Sequence, residues 1–351
     1  MKYKILQVID KLEIGGAEKI AVLCANILKK RGLEVGLISL INEGILNSEL
    51  NKNIKYYNLL RKSKWNLFSA IKFNKIASNY DILHVHMHHN LYWVLFWEII
   101  LRKKYNIIFH NHNNKKFKWK VLLKLSKSKI SHVIVNKEFY SNQLLNNNFY
   151  KLYYLENIIS RYSLERKYLM DSSSLKIVLV SNLRQLKNIE FALQIANYLA
   201  KKKSVVFDIY YSNYNQNYVD SLNKYLNIKE AKLDVNFIKD DKNPSLKFYK
   251  YDFALHTSIK ESGPLTLLEY ISAGLPFLSF NTGQSIELIR NIYPEFIAKR
   301  FILEEWMNNI NKILSLGRDY YSKKLKALYC NHYSNEKYFN KCRKIYLENL
   351  N

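Results

Sequence analysis

The chain has 351 residues, enough for two domains of ordinary size, and its 48% hydrophobic content gives each a core, which excludes a disordered or fibrous protein. No apolar run reaches the roughly 18 residues that span a bilayer, Lys2 and Lys4 lead only into a strand-length run rather than a signal peptide, and three cysteines without metal spacing exclude a disulfide framework. A reducing cytoplasm is the expected setting, and the net charge of +26 leaves open whether a nucleic acid, a membrane surface or an AT-rich genome accounts for it.

In chain order, Lys4 to Ile9 reads as a strand, Gly15-Gly16 as a tight loop, Ala17 to about Lys30 as a helix stopped by Gly32, and Leu33 to Leu40 as a second strand. Strand, glycine loop, helix, strand is a right-handed βαβ unit of Rossmann type. The two glycines let a ligand approach the backbone at a helix N-terminus, although a plain tight turn also needs them. Strand-like runs recur at 54–57, 81–87, 106–110, 132–135 and 152–155 with helical stretches between, which predicts a parallel sheet covered on both faces.

Six of the nine histidines fall between His84 and His112. Period-two alternation puts His84, His86 and His88 on one strand face, a pattern compatible with a metal. No acid or cysteine accompanies them, so imidazoles packed at strand ends and bonded to backbone are the expectation for His84, His88 and His89. His112 and His110 stand where a strand ends, the edge at which open α/β sheets bind ligands.

Residues 115–129, KKFKWKVLLKLSKSK, read as a basic amphipathic helix. Lys116, Lys120, Lys124 and Lys127 share a stripe beside Phe117, Val121 and Leu125. Two readings stay open: an element on an anionic membrane surface, or a solvated helix packed on its own sheet.

Between Arg161 and Lys176 the pattern lapses into charges and serines, the candidate domain boundary. Alternation then restarts with strand 177–181, helix 189–200, strand 205–211, helix 219–226 and strands 235–238 and 252–257. In VSNLRQLKN, Lys187 sits where strand hands over to helix, a place for a cation facing a diphosphate and also for a surface lysine. One close charge pair there is worth about 4 kcal/mol before desolvation. Then comes TSIKESGPLTLLEYISAGLPFLSFNT, 257–282. Pro264 opens a helix and Gly274 with Pro276 ends it. Leu265, Leu267, Leu268, Tyr270 and Ile271 surround the helix, so it is expected to be buried with Glu269 inside it, about 7.5 Å from its start. Glu261 precedes that start. Acids beside an anion-attracting helix terminus fit a ligand carrying both phosphates and hydroxyls, although an internally bonded Glu269 and a solvated Glu261 fit the spacing as well.

The strings IGGAEK, HNHNN, Lys187-Asn188 and Glu261 through Glu269 with its Ala-Gly-Leu-Pro tail occur in an order and spacing that resemble the family 4 glycosyltransferases over nearly the whole chain. The resemblance implies a GT-B fold, two Rossmann-like α/β domains facing across a cleft. It assigns 1–165 to an acceptor-side domain, 166–333 to a nucleotide-sugar donor domain, and 334–351 to a terminal helix crossing back to the N-terminal domain. It further implies sugar transfer from a nucleotide-diphosphate sugar to a glycan or lipid-linked acceptor with retention of configuration and no essential metal, in cell-surface polysaccharide synthesis. Lys187, with Arg184, and the helix start Gly263-Pro264-Leu265 would stabilise the leaving diphosphate. Glu269 would bond ribose hydroxyls, Glu261 the donor-sugar hydroxyls, and Gly15, Gly16, His110 and His112 would form the acceptor side, Gly16 also closing on the donor. The family arginine normally lies five or six residues before the lysine, where this chain has Asn182, and Asn157-Ile158-Ile159-Ser160 replaces the common Asn-Gly-Ile-Asp. The alternatives are a sugar-nucleotide epimerase or hydrolase on the same fold, and a non-enzymatic basic protein binding nucleic acid or membrane.

Overall fold

A computed structural model describes residues 3–112, 120–135, 137–144, 151–159, 173–228, 230–283 and 286–350. The chain forms two compact units, residues 1–160 with 335–351, and residues 161–334.

The first unit runs β1 (Lys4–Ile9), α1 (Gly16–Lys30), β2 (Glu34–Ser39), β3 (Lys55–Asn58), α2 (Leu67–Ala77), β4 (Ile82–His86), α3 (His88–Ile100), β5 (Asn106–Asn111), α4 (Lys120–Leu125), β6 (Lys129–Ile134), α5 (Lys137–Leu144) and β7 (Lys151–Tyr154). Its seven strands are all parallel, in the order β3-β2-β1-β4-β5-β6-β7. Alternation in β1 explains the two covered faces. Ile5 and Ile9 pack with α1, and Leu6 and Val8 pack with α2 and α3.

The second unit runs β8 (Leu175–Val180), α6 (Ile189–Ala200), β9 (Val205–Tyr211), α7 (Gln216–Asn227), β10 (Leu233–Lys239), β11 (Phe253–His256), α8 (Leu265–Ala273), β12 (Phe277–Phe280), α9 (Glu287–Ile292), β13 (Ile297–Ala298) and α10 (Leu303–His332), which breaks at Gly317. Its sheet, β10-β9-β8-β11-β12-β13, is also parallel. The final helix, α11 (Asn335–Leu350), belongs to the first unit, where Tyr338, Cys342, Ile345 and Tyr346 join the core beneath α1. Both sheets are doubly wound. In each, strand order reverses beside the first strand, so ligands are expected outside the carboxyl ends of β1 and β4 in one unit and of β8 and β11 in the other.

Two expectations need correction. Met87 adopts φ 72° and ends β4, so His88 opens α3 and leaves the face that His84 and His86 share. A positive φ on a residue other than glycine is strained and is tolerated where surroundings fix it. Pro264 is the cap of α8 rather than its first residue, because its ψ of 116° is extended; Leu265 begins the helix. Lys116 and most of the expected boundary at 161–176 lie outside the described residues. On α4, Leu122 and Leu123 pack inward while Val121 and Leu125 stay exposed.

Candidate functional site

In the second unit, β8 and β11 deliver Lys187 and Glu261 to the reversal of strand order. A 3-10 turn at Gln185–Lys187 follows β8 and leads through Asn188, in the left-handed region at φ 49°, into α6. The turn is laced to the segment after β11: Thr257 Oγ1 donates to Lys187 O at 2.9 Å, and Ile259 N donates to Leu186 O at 2.9 Å. These bonds bring the Lys187 ammonium onto Glu261 Oε1 as a hydrogen-bonded ion pair.

Glu261 is fixed from three more sides. Its backbone N–H donates to Thr282 Oγ1 at 2.9 Å. His256 Nε2 lies 3.6 Å from Oε1, and the opposite ring nitrogen bonds Ser279 Oγ at 3.0 Å. Gly283, at φ +84°, is packed so closely that a Cβ there would stand 2.7 Å from Pro264 Cδ and 3.1 Å from Glu261 Cβ. Burial pushes the Glu261 carboxyl pKa upward, and the nearby His256 imidazole together with the Lys187 charge outweighs it, holding the group down to about 2. Glu261 is therefore an ionised acceptor at neutral pH. His256, buried at the end of β11, is a residue that sequence reading missed. Its strand position was visible, whereas its contact with Glu261 is made through a loop.

Behind this pair, α8 is buried along Leu267 to Ile271, Glu269 included, and stops at Gly274 in the left-handed region at φ 64°. Tyr270 OH accepts from Val180 N at 3.1 Å, which locks α8 to β8. Pro264, the N-cap of α8, supplies no side-chain cap. The backbone N–H groups of the first turn of α8 carry the partial positive charge of a helix N-terminus. Arg184 caps the 3-10 turn, is exposed and makes no ion pair among the described residues.

In the first unit, Gly15 and Gly16 open α1 after β1. A Cβ on Gly15 would sit 2.3 Å from Glu18 Oε2, because the flexible Glu18 carboxylate folds back over the helix start into the space glycine leaves. Burial raises the Glu18 pKa. Beside it Asp10 pairs with His89 at 3.1 Å; burial raises the Asp10 pKa, and the His89 bond more than offsets it.

His110 and His112 come from the end of β5 and stack on the histidines of β4, with ring centroids 5.3 Å apart for both the His84–His110 and the His86–His112 pairs. Two hydrogen-bonded chains result. His84 bonds Tyr346 OH at 2.8 Å and His110 Nδ1 at 3.2 Å; His86 bonds Gln7 Oε1 at 2.7 Å and His112 Nε2 at 3.0 Å. His84 and His89 thus bond side chains, not the backbone expected. Burial, with the neighbouring rings, holds His86 and His110 well below the usual imidazole range and His112 down to about 3, so all three are neutral at pH 7. His84, His86 and His110 offer nitrogens within 4.8 Å of one another, the one metal-compatible grouping among the described residues. Their hydrogen bonds to one another, Gln7 and Tyr346 already occupy most of those nitrogens.

Two doubly wound parallel-sheet units, each with charged residues at its strand-order reversal, define a two-domain α/β protein whose ligands are expected at those edges. Residues 14–152 match Glycosyltransferase Family 4 and residues 161–331 match Glycosyl transferases group 1, and the chain belongs to this glycosyltransferase family. Among solved structures it is similar to a glycosyltransferase from Rickettsia africae (TM-score 0.80, 19% identity, 99% of each chain covered). It is similar also to Anabaena HepE in complex with UDP and glucose (TM-score 0.77, 15% identity, covering 98% of this chain and 99% of that one). A third is S. aureus TarM in complex with fondaparinux, alpha-GlcNAc-glycerol and UDP (TM-score 0.73, 11% identity, covering 99% of this chain and 100% of that one). At these identities the likeness is one of fold. Among curated proteins none matches the sequence. No helix among the described residues is long and apolar enough to cross a membrane.

Proposed function

We propose that this glycosyltransferase moves a sugar from a nucleotide-diphosphate sugar, held by the second unit, to a glycan or lipid-linked acceptor held by the first, with retention of configuration, in cell-surface polysaccharide synthesis. The observation that carries the donor side is the Lys187–Glu261 pair beside the N-terminus of α8. Lys187 and the backbone N–H groups of the first turn of α8, from Leu265 onward, supply positive charge for a departing diphosphate, so the reaction needs no metal for that purpose. Glu261, ionised and held by His256, accepts hydrogen bonds from donor-sugar hydroxyls. Glu269, about one turn into α8, accepts from ribose hydroxyls. Gly263 leaves room at the approach and Arg184, free at the surface, closes on the diphosphate. On the acceptor side Gly15, Gly16, His110 and His112 line the carboxyl edge of the first sheet, and neutral His112 donates to or accepts from a hydroxyl without carrying charge. UDP in the HepE and TarM complexes makes a UDP-sugar the first donor to test.

The test is nucleoside-diphosphate release from a panel of UDP-, GDP-, ADP- and CMP-sugars (CMP for the last), with and without bacterial lipid extract. Acceptor-dependent release with one base, and a retained anomeric linkage in the product by NMR, is the expected result. Free sugar or isomerised donor without acceptor would assign the fold to a hydrolase or epimerase instead.

A further inference from the structure

We infer that the first unit docks on an anionic lipid bilayer through the N-terminal half of α2 and the turn that leads into it, with Trp65 and Phe68 entering the headgroup boundary. The inward positions of α2, Ala70, Phe73 and Ala77, fill the core over the sheet. Its outward positions are the anomaly. Phe68 is 84% exposed, Trp65 61%, Ile71 49% and Leu67 46%. Single exposed apolar residues are ordinary, whereas four large ones within seven residues form a patch.

The patch is held rigidly. Trp93 and Trp97 of α3 both donate their indole N–H to Lys64 O, at 3.0 and 3.1 Å. The ring of Trp65 meets Phe96 edge-on at 5.2 Å, and Asn66 caps α2 by accepting from Ser69 N at 3.0 Å. These bonds fix the backbone under the exposed rings, so the rings do not turn inward.

Charge selects the occupant. Exposed Lys62, Lys64, Lys72 and Lys75 surround the apolar residues, and residues 61–80 contain no acid. A second copy of this chain would present the same cations and be repelled. A nucleic acid offers phosphates but no apolar phase for Leu67, Phe68 and Ile71. An anionic bilayer supplies both, with rings at the acyl boundary and lysines at the phosphates. Because every strand of this sheet is parallel, the N-terminus of α2 lies at the same carboxyl edge as Gly15, Gly16, His110 and His112. Resting on the proposed acceptor role of that edge, the docking would present it to lipid-linked acceptors at the bilayer surface.

The experiment is sedimentation of the full chain with phosphatidylglycerol/phosphatidylethanolamine vesicles and with phosphatidylcholine vesicles, at low and high salt. Wild type is expected to pellet with the anionic vesicles and to lose binding with salt. Trp65→Ser and Phe68→Ser, both at exposed sites and expected to melt as wild type does, should each weaken partitioning about tenfold, and Lys62→Ser/Lys64→Ser/Lys72→Ser roughly a hundredfold. Wild-type binding that these variants leave unchanged, no wild-type binding to anionic vesicles, or a dimer that Phe68→Ser dissociates in a protein indifferent to vesicles would overturn the inference. Turnover of a soluble donor and acceptor, measured on the same variants, separates failure of the docking surface from failure of the transferase reading.

Discussion

His256 approaches Glu261 from the sheet side, Nε2 3.6 Å from Oε1, while Lys187 holds the same oxygen from the turn after β8. One carboxylate oxygen thus serves two cation-capable partners from two different strands. His256 is a positioning residue for Glu261, and His256→Leu removes the imidazole that, with the Lys187 charge, holds the carboxyl pKa down to about 2. The acid limb of the pH–rate profile should move to higher pH with little change on the alkaline side. A profile that coincides with wild type would show that Glu261 does not depend on His256.

Lys187→Ala leaves the largely buried Glu261 carboxylate without its cation. It should cost about 2 kcal/mol of stability and lower donor turnover by about a hundredfold or more. Lys187→Ala/Glu261→Ala should recover most of the stability and none of the activity. Additive stability losses in that double-mutant cycle, read by denaturant unfolding, would mean that the ion pair is not formed.

Acid should weaken the first unit before it affects the second. His86 and His110 lie well below the ordinary imidazole value, and burial holds His112 and His132 down to about 3. The folded values are below the unfolded value of about 6.5, so below that pH the unfolded chain binds more protons and stability falls. Each group contributes up to about 1.4 kcal/mol per pH unit as pH drops from about 6.5 toward 3. The shift at Glu261 acts only between its unfolded value near 4.5 and about 2, so melting temperature between pH 7 and 5 reports the histidines. A flat melting temperature over that interval would contradict the buried array.

Tyr346 ties α11 to that array through His84 at 2.8 Å. Tyr346→Phe keeps the ring that fills the core and leaves a buried imidazole nitrogen unpaired, at a cost of about 1–3 kcal/mol. The check is denaturant unfolding beside Tyr338→Phe. A change below about 0.5 kcal/mol for Tyr346→Phe would show that α11 is held by apolar packing alone.

Where local sequence carries the physics, the fold was legible. Apolar alternation located β9 at Val205–Tyr211 and helical periodicity located α6 at Ile189–Ala200 to the residue, and Gly274 stopped α8 where a left-handed residue is required. What depends on register was hidden. His84 and His86 share a face by alternation, but their partners His110 and His112 arrive from β5 through strand pairing, and His88 leaves at Met87, whose backbone strain no local pattern announces. Likewise Lys187, Glu261 and Glu269 were visible as residues of a motif, whereas the His256 support for Glu261 exists only once β11 and its following loop have folded.

The central claim is that the second unit binds a nucleotide-diphosphate sugar through Lys187, Glu261 and Glu269. Thermal melting of wild type and Glu269→Ala with each nucleotide sugar tests it most directly. A ligand at about 100 times its dissociation constant adds about 2.7 kcal/mol, a rise of several degrees. The account predicts that rise with the sugars of one base in wild type and its loss in Glu269→Ala. No rise with any nucleotide sugar in folded wild type, or an equal rise in Glu269→Ala, would contradict it.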